Sequence, residues 1–249
     1  MPLNVHQFPC LSDNYGFLIR DEATGKVATI DTPDADAIQA ELDKLGWTLD
    51  LILNTHWHPD HAGGNEALKK ATGATIAGPA EVTRIAPLDR VLRGGDSILL
   101  GETRLDVIDS GGHTLGHIAY HDAKGGVAFV GDTLFALGCG RLFEGTAEQM
   151  WDSLSRVASL PDATTVYCAH EYTASNARFA LSVDDDPALK ARADQIFAAR
   201  ERGEPTVPTT IAAEKATNPF LRAPLLRPNA ASPAEAFAEI RAAKDSFKG

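Results

Sequence analysis

The amino-acid sequence predicts an α/β protein with a helical C-terminal part. Short apolar segments typical of buried strands alternate with helix-start signals up to about Tyr172, and beyond this residue helix starts continue while strand signals almost disappear. The predicted strands cover residues 27–30, 49–54, 105–108, 127–130 and 165–168. A chain of 249 residues that is 44% hydrophobic can form one large domain, or a domain with an appendage, around a proper core.

Helix starts are marked by residues that cap the free N–H groups of a first turn. Three are present: the capping boxes 146–149 and 232–235, and Asp186 followed by Pro187. Residues 203–208 predict an extended connector between helices. We find neither an internal repeat nor a low-complexity tract.

The most informative segment is 55–61, which contains four potential metal ligands in its last six positions. It lies between a predicted strand and a predicted helix, so the ligands occupy a strand-to-helix loop. His56 and His58 are two positions apart and point the same way if extended geometry continues through the loop. A proline then turns the chain before Asp60 and His61. The segment therefore predicts parts of two metal sites.

The remaining ligands should come from the ends of other strands. The polar residues that follow the last three predicted strands are His113, Asp132 and His170, in that order. A lone histidine is more often a surface or hydrogen-bonded residue than a ligand, and an aspartate after a strand is more often part of a turn. All three nevertheless occupy the same position relative to a strand as the ligand-rich segment, which favours a shared role as metal ligands.

The segment 55–61 reads T-H-x-H-x-D-H, and with it the chain resembles the metallo-β-lactamase superfamily. The resemblance implies an α/β fold of the metallo-β-lactamase type, an αβ/βα four-layer sandwich with a metal site at one edge of the paired sheets. It also implies that His56, His58 and His113 bind one ion, that Asp60, His61 and His170 bind the other, and that Asp132 bridges them. Imidazole and carboxylate ligands suit several metals, so we expect two divalent ions, zinc first, with iron or manganese as alternatives.

Further motifs narrow the resemblance to the glyoxalase II family. They lie at residues 13–17, 131–135, 138–146, 170–173, 218–222 and 241–247. The resemblance covers nearly the whole chain and implies a catalytic domain at 1–172 and a helical substrate-binding domain at 173–249. The activity it implies is hydrolysis of S-D-lactoylglutathione, or another S-2-hydroxyacylglutathione, to D-lactate and glutathione in methylglyoxal detoxification.

Five positions match residues that bind the substrate in that family: Arg141, Phe143, Tyr172, Arg241 and Lys244. The three cations match positions that bind the glutathione carboxylates, and Tyr172 directly follows a ligand-bearing segment. Phe143 is a departure, because some members have a tyrosine there, and the hydrogen bond of its hydroxyl cannot form in this chain.

A binuclear site defines the expected chemistry. Binding to a metal lowers the pKa of water to about 7, so we expect a bridging hydroxide to be the nucleophile without a dedicated protein base. We expect Asp60 and Asp132 to be the catalytic groups, Asp60 by accepting a hydrogen bond from the nucleophile and Asp132 by bridging the ions. A thiolate leaves readily, so no strong general acid is required.

The remaining histidines, one aspartate and one cysteine have expected positions or roles outside the ligand set. His6 and His121 are expected at the surface, and His117 is expected to have a structural or ligand-orienting role. Asp31 follows a strand and is either a ligand-orienting group or a turn residue. Cys139 lies near the predicted site, but a structural role is favoured over that of a nucleophile.

The composition limits partners and location. The net charge of −11 argues against nucleic acid, which requires a concentrated basic face, and it means that local cations must attract an anionic glutathione substrate. The three cysteines have neither C-x-x-C spacing nor an even count, which fits a reducing cytoplasm. No apolar run approaches ~20 residues, and the N-terminal residues do not resemble a signal peptide. We expect no membrane partner, and a monomer or weak oligomer.

Three other functions are compatible with the same fold. A persulfide dioxygenase should lack the C-terminal helices and a complete second metal site, whereas this chain has the sequence signals of both. A β-lactam hydrolase is usually exported. A non-catalytic binding protein should have lost ligands, yet all seven expected positions are filled.

Overall fold

The computed structural model describes residues 3–249, which form two compact units. Unit one extends to Asp109 and also includes Gly116–Gly131. Unit two consists of Ser110–Leu115 and Asp132–Gly249. The predicted ligands are therefore divided between the units, with those of segment 55–61 in unit one and the other three in unit two.

The first sheet of unit one has six strands in sequence order. They are β1 (Asn4–Cys10), β2 (Asn14–Arg20), β3 (Val27–Ile30), β4 (Leu49–Leu53), β5 (Thr75–Gly78) and β6 (Arg90–Val91). The first three are antiparallel, and β3 to β6 are parallel. The crossovers contain α1 (Ala35–Leu45), α2 (Pro59–Ala62), α3 (Asn65–Thr72) and a 3-10 helix at Ala80–Arg84. Parallel pairing requires such crossovers and places the loops after β3 and β4 at the same sheet edge.

Helices α1 and α3 cover one face of this sheet. Ile38 and Leu42 of α1 and Leu68 of α3 are fully or almost fully buried in a core that includes Leu18 and Ile52 of the sheet. This apolar contact fixes the helices against the strands, because burying one large aliphatic side chain contributes about 1.5–3 kcal/mol.

The second sheet of unit one is an antiparallel meander. It comprises β7 (Ser97–Leu100), β8 (Thr103–Asp109), β9 (Ile118–Asp122) and β10 (Val127–Gly131). The two sheets are in contact: the rings of Phe17 and Phe129 are 5.9 Å apart. The Tyr120 hydroxyl donates a 2.6 Å hydrogen bond to the Asn54 carbonyl, just after β4. The strand positions predicted from the apolar segments are confirmed in this unit.

The prediction that His121 lies at the surface is wrong. All five residues of β9 are buried, and His121 is only 8% exposed. Alternation along a strand separates two faces, but it does not tell which of them other elements cover. His6 is partly buried and lies 2.8 Å from the Glu41 carboxylate.

Unit two is mainly helical. Its helices are α4 (Ala147–Ala158), α5 (Thr173–Val183), α6 (Pro187–Glu201), α7 (Ile211–Thr217), α8 (Ala223–Leu226) and α9 (Pro233–Ser246). Its strands are the hairpin β11 (Leu134–Phe135) and β12 (Gly138–Cys139), and the pair β13 (Thr165–Cys168) and β14 (Thr209–Thr210). The three predicted helix starts are confirmed: side chains of Thr146, Asp186 and Ser232 accept hydrogen bonds from the first turns of α4, α6 and α9.

A buried ion pair joins α6 to α7 in unit two. The Arg192 guanidinium donates to Glu214, whose side chain is fully buried and also accepts a 2.6 Å hydrogen bond from the Thr209 hydroxyl. The connector at 203–208 is held in place because Thr206 donates through both its N–H and its hydroxyl to the Glu171 carboxylate.

Replacing Arg192 with alanine leaves the Glu214 carboxylate buried without its cation. We expect the free energy of unfolding to fall by about 3–5 kcal/mol. The control is Lys215→Ala, which removes a solvent-exposed pair with Asp162 and should cost about 1 kcal/mol or less. Urea unfolding followed by tryptophan fluorescence measures both variants. Equal losses in the two variants would contradict the assigned importance of the buried pair.

Candidate metal ligands and substrate pocket

The ligand-rich segment of unit one lies on the loop between β4 and α2. Strand β4 ends at Leu53. His56 and His58 therefore do not lie in extended geometry, which was the condition for predicting that they point the same way. Instead His58 is the N-cap of α2, and Pro59 is the first residue of that helix. The two imidazoles still meet, since His56 Nε2 lies 3.0 Å from His58 Nδ1.

Asp31 orients this loop from the end of β3. Its carboxylate accepts hydrogen bonds from the Thr55 N–H at 2.7 Å and the Thr55 hydroxyl at 2.8 Å. His61 Nδ1 lies 2.8 Å from Asp31 Oδ2 and must carry the hydrogen, because an ionised carboxylate only accepts. His61 Nε2 therefore keeps its lone pair. Of the two roles predicted for Asp31, these contacts support the orienting one.

His56 is oriented by the same network. The Thr55 hydroxyl gives its hydrogen to Asp31, so it accepts from His56 Nδ1 at 3.0 Å, and His56 Nε2 also keeps its lone pair. His117 is fully buried, and its ring stacks on that of His56 with the centroids 4.8 Å apart. This packing supports the structural role predicted for His117.

Gly131, at the end of β10, leaves room for this network. A Cβ there would lie 2.7 Å from both His117 Nε2 and Thr55 Oγ1, and its φ of +48° is in the left-handed region. A larger residue would displace the side chains that hold His56 in its orientation.

In unit two, Asp132 lies between two histidines. Its Oδ2 is 3.4 Å from His113 Nε2, and its Oδ1 is 3.3 Å from His170 Nε2. His113 Nδ1 donates to the Arg141 carbonyl at 2.9 Å, so its Nε2 presents a lone pair toward the carboxylate. Such a contact is repulsive unless a proton or metal ion lies between the two atoms.

The donor set fits divalent metal ions. Two ligands bound at 2.0–2.1 Å to a tetrahedral ion are about 3.3 Å apart. The His56–His58, His113–Asp132 and His170–Asp132 separations of 3.0, 3.4 and 3.3 Å agree with this value. Residues 3–249 contain groups of His and Asp side chains that could hold a metal ion. Each carboxylate oxygen of Asp132 faces a different imidazole, which is the arrangement expected of a bridging ligand.

A cavity of about 430 Å³ lies in unit two beside these ligands. It is lined by His113, Asp132, Phe135, Cys139, Gly140, Arg141, Phe143, Tyr172, Ser175, Asn176, Arg241 and Lys244. All five residues predicted to bind the substrate are among them. Sequence reasoning missed the two polar residues of the first turn of α5, Ser175 and Asn176, although their position soon after Tyr172 was a usable signal.

Two aromatic residues form part of this cavity. The Tyr172 ring stacks on His170, with centroids 4.7 Å apart and planes within 2° of parallel. Phe143 is 62% exposed and packs edge-on against His113 at 5.2 Å. The phenyl ring therefore offers an apolar surface where a tyrosine would offer a hydroxyl.

Arg241 is buried, although it was expected to be available to the substrate as a cation. Its Nη1 donates to the Cys139 carbonyl at 3.2 Å, and its Nε and Nη2 donate to Asp245. Burial raises the pKa of the Cys139 thiol to about 11, so this thiol is protonated at neutral pH. Both findings agree with a structural role for Cys139.

Lys244 is the more available cation. Its Nζ donates to the carbonyl and hydroxyl oxygens of Ser175 at 3.1 and 3.3 Å. The pKa of Lys244 is lowered from 10.5 to about 8, first by partial burial. Repulsion from three cations lowers it further: Arg241 on α9, Arg178 on α5 and Arg141 on the loop after β12. The Asp245 carboxylate acts in the opposite direction. A group of cations in a chain of net charge −11 makes this part of the cavity suited to an anion.

Comparison with known proteins identifies the family. Residues 17–170 match the metallo-β-lactamase superfamily, and residues 171–247 match the hydroxyacylglutathione hydrolase C-terminus. A hydroxyacylglutathione hydrolase of Erythrobacter litoralis is 55% identical over 250 residues, which cover 98% of this chain and all of the relative. The chain belongs to the hydroxyacylglutathione hydrolase family. The resemblance to glyoxalase II is thereby confirmed.

Solved structures support the fold expected for a hydroxyacylglutathione hydrolase family member. The crystal structure of ETHE1 from Myxococcus xanthus has a TM-score of 0.71 at 30% identity and covers 96% of this chain and 90% of its own. The structure of TTHA1623 in a di-iron-bound form has a TM-score of 0.64 at 25% identity and covers 88% of this chain and all of its own. The predicted metallo-β-lactamase fold with a C-terminal helical domain is confirmed.

None of the helices in residues 3–249 has the length and apolar character needed to cross a bilayer.

The lowered pKa of Lys244 can be measured directly. We expect half-maximal amine reactivity near pH 8 in competitive labelling with acetic anhydride, read by mass spectrometry, and a higher pKa in Arg178→Ala because one repelling cation is gone. Arg202→Ala removes an exposed arginine that pairs with Glu204 and should leave Lys244 unchanged. An ordinary pKa near 10.5 in the native protein would contradict this assignment.

Proposed function

We propose that this protein is a metal-dependent hydroxyacylglutathione hydrolase that converts S-D-lactoylglutathione and water to D-lactate and glutathione. The observation that carries the proposal is the cavity of unit two, in which His113 and Asp132 share one 430 Å³ space with Arg141, Tyr172 and Lys244. This space combines candidate ligands for a hydrolytic metal with cations for a substrate carboxylate. The name of the Erythrobacter litoralis relative supports the same substrate.

We propose that two divalent ions bind the seven predicted ligands. One would be held by His56, His58 and His113, the other by Asp60, His61 and His170, with Asp132 shared. When bound, such ions supply an activated water at neutral pH and a Lewis acid for the thioester oxygen. Zinc is our first candidate, and the di-iron form of TTHA1623 supports iron as an alternative on this fold.

The protein's own residues would prepare and orient the reactants. His56, His61 and His113 are each fixed by a hydrogen bond at Nδ1, which leaves Nε2 for a ligand. Such contacts hold ligands in a productive orientation and prevent the rings from turning. Asp60 would accept a hydrogen bond from the attacking water, in addition to its role as a ligand.

The substrate would be positioned by its glutathione part. Lys244 and Arg141 would bind carboxylate, and Tyr172 and Phe143 would contact the peptide. Arg241 would act mainly by holding the Cys139 backbone and thereby the cavity wall. Water oxygen adds to the thioester carbonyl carbon, the carbon–sulfur bond then breaks, and the sulfur leaves as a thiolate that takes up a proton.

The remaining expectations stay predictions. The division into a catalytic domain at 1–172 and a substrate-binding domain at 173–249 is supported by the adjoining family matches at 17–170 and 171–247. Cytoplasmic location is supported by three cysteines that are free and buried. A monomer or weak oligomer, with neither a nucleic-acid nor a membrane partner, is also proposed.

Hydrolysis of S-D-lactoylglutathione tests the proposal. We expect turnover to be lost when a chelator removes the metal, and to return when zinc, iron or manganese is added. Loss of the thioester is followed by its ultraviolet absorbance, and released thiol is counted with a chromogenic disulfide. Metal-loaded protein without turnover would overturn the proposal, and oxygen uptake with glutathione persulfide would favour a dioxygenase instead.

Replacing Lys244 with alanine should raise KM much more than it lowers kcat, because the side chain binds a part of the substrate remote from the thioester. In the wild type, KM should rise as pH increases through about 8, since Lys244 then loses the charge that attracts the carboxylate. Lys244→Arg stays charged and should show a flatter profile. Identical profiles for the wild type and this variant would contradict the role of Lys244.

A further inference from the structure

We infer that Asn14 is a positioning residue for the metal ion that Asp60, His61 and His170 would hold. It acts by fixing the Asp60 carboxylate. This inference rests on the ligand set of the proposed function. Asn14 begins β2 and belongs to the motif at 13–17.

The contact is made by the amide nitrogen of Asn14. Asn14 is only 6% exposed, and its Nδ2 lies 3.1 Å from Asp60 Oδ2 and 3.3 Å from the Asp60 main-chain carbonyl oxygen. An asparagine amide has two N–H donors, which is the number needed for these two acceptors. A single side chain therefore restrains both the carboxylate and the backbone of Asp60.

Asp60 requires such a restraint because its own helix provides little. Helix α2 has four residues, and its N-cap, His58, forms no side-chain capping bond. The Asp60 side chain is 38% exposed, and the Asn14 contact limits the rotation of its carboxylate. Ordering a side chain at the moment of metal binding costs conformational entropy, and the Asn14 contact removes part of that cost beforehand.

The same contact places the carboxylate beside the neighbouring ligand. Asp60 Oδ2, the oxygen that faces Asn14, lies 3.5 Å from His61 Nε2. This separation is close to that of two ligands of one ion, about 3.3 Å. An ionised carboxylate oxygen accepts more than one bond, so the amide contact and metal binding are compatible.

A neutral donor suits this position. A lysine or arginine would repel a metal ion, and an ionised aspartate would repel Asp60 and bring a competing ligand. His61 is oriented by Asp31, so the two adjacent ligands have separate supports, one from β2 and one from β3.

The test is metal binding, measured without reference to activity. Metal-free wild type, Asn14→Ala, Asn14→Leu and Asn14→Ser are titrated with zinc against a chromophoric chelator. Leucine has nearly the shape of asparagine without its donors, whereas serine retains one donor. Asn4→Ala is the control, because Asn4 is exposed on the neighbouring strand and donates to Glu22 at 3.1 Å.

We expect two binding steps in the wild type and in Asn4→Ala. In Asn14→Ala and Asn14→Leu one of the two steps should lose about 10–100-fold in affinity while the other is unchanged, and serine should recover part of the loss. Near-UV circular dichroism confirms that the folded state is retained, and Asn14→Ser provides the comparison if alanine or leucine unfolds the chain. Unchanged affinities in the folded variants overturn the role of Asn14, whereas binding of a single ion per wild-type chain overturns the two-metal proposal itself.

Discussion

The candidate site depends on one physical constraint: each ligand histidine must present a lone pair in a fixed direction. Asp31 meets this constraint in unit one, because its carboxylate accepts from Thr55 and from His61 Nδ1, and Thr55 in turn accepts from His56. The backbone of Asp31 has a φ of +59°, which is unfavourable for a residue with a side chain. The hydrogen bonds stabilise this conformation. They also connect the end of β3 to Thr55 after β4 and to His61 of α2.

Unit two shapes its cavity by a comparable use of buried polar groups. The turn between β11 and β12 has Leu137 at a φ of +56°, and its N–H donates to Glu214 at 2.9 Å. Asn218 donates to the carbonyl groups of Phe135 and Gly138, so the motif at 218–222 supports the hairpin. Phe135 then packs edge-on against both His170 and Tyr172. The C-terminal helices therefore form part of the cavity lining and also stabilise the β11–β12 hairpin, which contributes Phe135 and Cys139 to it.

Much of the fold and of the candidate site could be predicted from the sequence, because strand periodicity and cap residues are local signals. The strands, the three helix starts and the position of candidate ligands after strands were all readable in this way. Contacts between distant residues were not: Asn14 and Asp60 are 46 positions apart, and nothing local indicates their pairing. Burial was also hidden, since Arg241 was expected as an available cation and His121 as a surface residue, and other elements cover both.

We propose that the seven ligands together hold two divalent ions. The most direct measurement is the metal content of the purified chain after equilibrium dialysis against zinc, determined by elemental analysis and related to protein concentration by amino-acid analysis. We expect two ions per chain in the wild type and a loss of metal in Asp132→Ala, because that carboxylate faces two imidazoles. A wild-type chain that saturates with one ion or none would contradict it.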